Sequence, residues 1–150
     1  MGMLYFSSSQ TYEQQNIQPF LIDSLNTPFW EELLSGIHFY YAGSEISVAT
    51  HGVSGVIEFF IRKGAHFSVF FLLGFFTIGV LRSFYTKGKS SMFLSLLFVF
   101  LYACLDEYHQ KLTGGRTPLW EDVMIDSVGG LCGILFFFFL LRYSSRKPRS

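Results

Sequence analysis

Lys63 and His66 stand three residues apart, Asp106 and Glu107 are adjacent with Gln110 a turn further on, Arg116 follows, and Asp122 and Asp126 stand four apart. On helices, spacings of three and four place side chains on one face. Together these groups suit several kinds of chemistry. His66 could serve as a general base, its ring oriented by Asp106 or Asp122, with Arg116 stabilising developing negative charge. Lys63 and Arg116 could hold a phosphate or carboxylate, Arg through a planar fork and Lys as a point charge. His66, Glu107, Asp122 and Asp126 are chemically able to ligate a metal. With one candidate His and no H-E-x-x-H spacing, however, neither a metal nor any other cofactor is expected. The plainest use is an interhelix network in which Lys63 and Arg116 neutralise some acids while His66 and Gln110 bridge others. No nucleophile is marked: Thr113 and Thr117 flank Gly114 and Gly115, and nothing beside them would activate either hydroxyl.

Composition says where such residues must sit. Half of the 150 residues are apolar, Phe alone accounts for 19, and only 15% are charged, too oily for a soluble domain of this size. The formal net charge is zero, so no basic surface points to nucleic acid. Cys104 and Cys132 each lie inside an apolar run and read as small buried hydrophobes, not as a disulfide or metal pair. The N-terminus lacks the basic region and apolar length of a signal peptide.

Three apolar runs are long enough to cross a bilayer, at about 65–84, 91–108 and 123–143. Asp106 and Glu107 close the second run, where an ionised acid at the centre of a spanning helix would cost about 2.5–3.5 kcal/mol and needs a partner or a task. Arg82, Lys87 and Lys89 separate the first two runs, and Arg142, Arg146, Lys147 and Arg149 follow the third. These two basic tracts share a side, which the positive-inside rule assigns to the cytoplasm, along with the C-terminus. The acids precede the first run or surround the loop between the second and third, so the polar cluster is expected at one depth in the outer leaflet. Ahead of the spans, Thr27 as N-cap, Pro28, and then Glu31 and Glu32 announce a helix start. Trp30, Leu33, Leu34, Ile37 and Tyr41 follow at helical spacing and predict an interfacial helix over 28–41. Residues 53–61 lead into the first span. His38, His51 and His109 stand isolated, and Gly129-x-x-x-Gly133 permits a close helix-packing or oligomer contact.

The ordered set Lys63-Gly64-Ala65-His66-Phe67, Gly74, Asp106-Glu107-Tyr108-His109-Gln110, Gly115-Arg116, Asp122 and Gly129 resembles the VanZ-like membrane proteins, a bacterial family named for a protein that accompanies teicoplanin resistance. Ser8-Ser9-Gln10 fits the family's tract after its first spanning helix, extending the resemblance over nearly the whole chain. There are two departures. Asp126 stands where family members commonly carry Asn, and only residues 1–6 remain of the helix expected before Ser8. The expected fold is all-α: a single domain over 1–150, an integral membrane bundle with at least three transmembrane helices and an extracytoplasmic interfacial segment. The resemblance implies a multi-pass protein of the bacterial cytoplasmic membrane that lowers susceptibility to lipoglycopeptides such as teicoplanin. The alternative is a membrane-embedded enzyme, or a protein binding an anionic lipid or glycopeptide headgroup through the cluster Lys63, His66, Asp106, Glu107, Gln110, Arg116, Asp122 and Asp126.

Overall fold

The structure, a computed structural model, describes residues 27–84, 89–114 and 119–146. Their order is helix α1 (Pro28–Leu34), strands β1 (His38–Tyr41) and β2 (Ser44–Ser47), then three long helices, α2 (Val48–Phe84), α3 (Lys89–Gly114) and α4 (Trp120–Arg146). The Ser8–Gln10 tract, Lys87, Gly115, Arg116, Thr117, Lys147 and Arg149 lie outside the described residues. The chain divides into two compact units, Met1–Gly64 with Tyr108–Glu121, and Ala65–Glu107 with Asp122–Ser150.

In the first unit, α1 starts as its sequence predicts. Thr27 is extended, at φ −118° and ψ 147°, and Pro28 opens the helix, although the Thr27 hydroxyl makes no capping bond. Its carbonyl accepts from the Trp30 amide at 3.0 Å. The helix does not run to residue 41, as its apolar spacing suggested; it ends at Leu34. Gly36 lies just beyond, followed by His38-Phe39-Tyr40-Tyr41, ring-bearing residues that favour a pleated strand over a helix. β1 pairs antiparallel with β2, with Phe39 opposite Ile46 and Tyr41 opposite Ser44. Ala42 and Gly43 make the two-residue turn, both with positive φ (51° and 78°), as a type I′ hairpin requires. Phe39 and Tyr41 carry the hairpin's packing, each meeting the Phe59 ring edge-on at 5.7 and 5.1 Å between centroids.

Ser47 ends the hairpin and caps α2. Its hydroxyl accepts from the Thr50 amide at 3.3 Å while the Thr50 hydroxyl accepts from the Ser47 amide at 3.3 Å, a reciprocal capping box built with Thr in the place usual for Glu. The helix is interrupted once, at Gly52 with φ 69°, and then continues to Phe84.

The second unit holds most of the apolar sequence. α2, α3 and α4 each contain a stretch long and apolar enough to cross a membrane. Their packing is inverted relative to a soluble bundle. On α3, Ser91, Ser95, Val99 and Ala103 are buried at every fourth position, while Phe93, Leu97, Leu101 and Leu105 are exposed on the other side. Small and polar residues face the bundle and bulky apolar ones face outward, the arrangement a lipid solvent favours. Phe70, Val99, Ala103 and Val123, drawn from all three helices, form the core. Helices α2 and α4 touch along glycines. A Cβ at Gly129 would stand 2.6 Å from the Phe67 carbonyl oxygen, and those of Gly74 and Gly133 would collide with the backbone of Gly130 and of Phe71. The Gly129-x-x-x-Gly133 spacing therefore lies against α2.

Candidate functional site

The inward stripes of the three long helices all end in ionisable groups. On α2, His66 precedes Phe70, Gly74 and Ile78 at steps of four, and those three are buried. The α3 stripe Ser91, Ser95, Val99 and Ala103 continues into Asp106 and Glu107, 8% and 7% exposed. On α4, Asp122 and Asp126 stand two turns and one turn, respectively, before the buried pair Gly129–Gly130 and are themselves 9% and 3% exposed. Since steps of three or four keep a helical face, the periodicity that seats the apolar core also turns these acids inward.

Close packing then sets which groups meet. The Gly129–Phe67 contact lies immediately beside His66 and one turn from Asp126, so it draws the two side chains together. His66 Nδ1 stands 3.6 Å from Asp126 Oδ2 and 4.0 Å from Asp106 Oδ2. One imidazole edge thus faces carboxylates from two other helices at ion-pair separation, beyond good hydrogen-bond length. His66 keeps 29% of its side chain exposed whereas the two acids keep 7% and 5%. Such an arrangement can tie three helices into a network, relay a proton, or bind a cation.

This is the convergence that a family assignment must account for. The model of the VanZ/LLP1 family matches residues 1–142. The chain belongs to that family. None of the curated proteins and none of the solved structures compared with it matches. As a VanZ/LLP1 protein with three helices able to span a bilayer, it is a helical membrane protein.

Of the eight residues singled out by sequence, the structure places His66, Asp106, Glu107, Asp122 and Asp126 in the second unit and brings His66, Asp106 and Asp126 to one point. Lys63 and Gln110 belong to the first unit, where Lys63 Nζ lies over the Tyr41 and Phe59 rings at 4.7 and 5.6 Å. Arg116 lies outside the described residues, as does Thr117. Of the histidines that looked isolated, His38 has a neighbour across the hairpin, Glu45 Oε1 at 3.0 Å, and His51 Nδ1 is 2.8 Å from the Thr50 hydroxyl. Sequence reasoning missed one buried pair altogether. Arg62 reaches back to Glu58 on α2, their side chains 16% and 5% exposed. The signal was available, Glu and Arg four apart in that order on a helix.

Proposed function

We propose that this VanZ/LLP1 chain is a multi-pass protein of the bacterial cytoplasmic membrane, C-terminus in the cytoplasm, that lowers susceptibility to lipoglycopeptides such as teicoplanin. Its working site in this reading is the His66, Asp106 and Asp126 cluster, flanked by Glu107 and Asp122. The observation that carries the reading is the convergence of one His and two buried acids from three helices of a membrane bundle. Ionisable groups in spanning helices are costly, so their collection at one point favours a task over chance. The envelope role rests on the family and on the ordered motif set around His66 and Asp106; the basic tracts after the first and third spans support the orientation.

The test compares function with folding. His66→Gln, Asp106→Asn and Asp126→Asn preserve shape while changing charge or basicity. Each should reduce teicoplanin tolerance to that of cells lacking the protein, with the amount of folded protein recovered from membranes close to the parent's. Tolerance that falls only in proportion to folded protein would leave the cluster as a purely structural network and remove this reading.

A further inference from the structure

The meeting point of the three long helices has the donor chemistry of a metal centre. His66 Nδ1 and one carboxylate oxygen each from Asp106 and Asp126 lie within 4.8 Å of one another, one ligand from each helix. Helix bundles that bind metals build their sites in this manner, from side chains on facing helices that project to one point. The separations fit. Around a four-coordinate ion with bonds of about 2.0–2.2 Å, neighbouring ligand atoms stand about 3.3–3.6 Å apart. His66 and Asp126 are already 3.6 Å apart, and His66 and Asp106, at 4.0 Å, need only a slight closing. The same distances are long for direct hydrogen bonds, which for these atoms fall at about 2.7–3.2 Å.

We propose that His66, Asp106 and Asp126 bind a divalent transition metal. This deepens the functional reading above and rests on it for what the ion is used for. One imidazole nitrogen with two carboxylate oxygens suits zinc or manganese, and excludes a thiolate-type site. Asp122, one turn from Asp126 on the same face and likewise buried, and Glu107, adjacent to Asp106, add negative charge beside a bound cation. Three protein ligands leave a fourth position, the form taken by zinc sites that act on a bound molecule. An oxygen of a phosphate or carboxylate headgroup would fill it.

The experiment uses the full chain purified in detergent, stripped with chelator, and titrated separately with Zn2+ and Mn2+. The parent should bind one equivalent of one ion, which should raise its unfolding temperature reversibly on chelation. Cu2+-loaded parent should show the hyperfine pattern of one coordinated imidazole nitrogen, a readout that needs no variant to fold. His66→Gln and Asp126→Asn should weaken binding by at least about tenfold. His38→Gln, which removes the His38–Glu45 pair of the hairpin, should bind like the parent. A parent that takes up neither ion, or whose binding His38→Gln abolishes and Asp126→Asn spares, overturns the proposal. Its failure is separable from that of the functional reading. No metal, with tolerance lost in folded His66→Gln, sinks the metal alone. A bound metal, with tolerance intact in that variant, keeps the metal and sinks the functional reading.

Discussion

The two units bury charge in different ways. In the first, Glu58 and Arg62 are neighbours on one helix, an acid and a base in equal number and one turn apart. The second collects Asp106, Glu107, Asp122 and Asp126 from two helices and turns a His from a third toward two of them. Their apolar residues differ as well. The first unit packs Phe39 and Tyr41 of its hairpin against Phe59, and buries Ile46, Val53 and Val56. The second buries Ser91, Ser95 and Gly130 while exposing Leu72, Phe76, Phe93 and Leu105. The first unit pairs its charges within a single helix; the second draws its charges together across three.

The strongest way to break this contrast is through the glycine seam that assembles the second unit. Gly133→Leu would drive a side chain into the Phe71 backbone, which cannot give way as a side chain can. We expect no folded bundle, measured as the loss of a cooperative thermal transition in detergent, while Gly64→Ala, with open space around its Cβ position, should unfold like the parent. A smaller effect separates structural from functional charge. Glu58→Ala leaves Arg62 largely buried without its carboxylate and should cost about 3–5 kcal/mol of stability, whereas replacing both, as Glu58→Leu with Arg62→Met, should recover most of it. If the double replacement instead abolished tolerance in a stable protein, the first unit's pair would belong with the functional charges. The least effect is expected at the hairpin. Gly43→Val forces a branched residue into φ 78°, a strain of about 1–2 kcal/mol, and should lower the unfolding temperature slightly without altering tolerance. A full loss of tolerance there would tie the hairpin to the site.

Much of the second unit is legible along the chain. The three apolar runs appear as three helices, because lipid-length hydrophobic stretches have few other options. The inward direction of His66, Asp106 and Asp126 also follows from steps of three and four that lead from each into its helix's small or apolar stripe. The first unit was harder to read. Trp30, Leu33, Leu34, Ile37 and Tyr41 fit a helical period, but alternating exposure of His38 to Tyr41 fits a strand equally well, and short ring-rich runs support both. The positive φ of Ala42 and Gly43, and the cover of Phe59, decide for the hairpin.

Sequence by itself therefore determined the spans, the faces and the residue types of the polar cluster, since these depend on local hydropathy and helical periodicity. It could not determine which acids meet the imidazole. Sequence offered Asp106 or Asp122 as the acid that orients the ring, and the ligand set it weighed and set aside, His66 with Glu107, Asp122 and Asp126, omitted Asp106. Tertiary structure chose Asp126 because the closeness of α2 against α4 is set by the contacts of Gly74, Gly129 and Gly133 with a facing backbone, and Asp106 because α3 packs on α4 where Val99 meets Gly130. Distances across helices follow from packing, and packing is a property of pairs of helices that no single stretch of sequence contains.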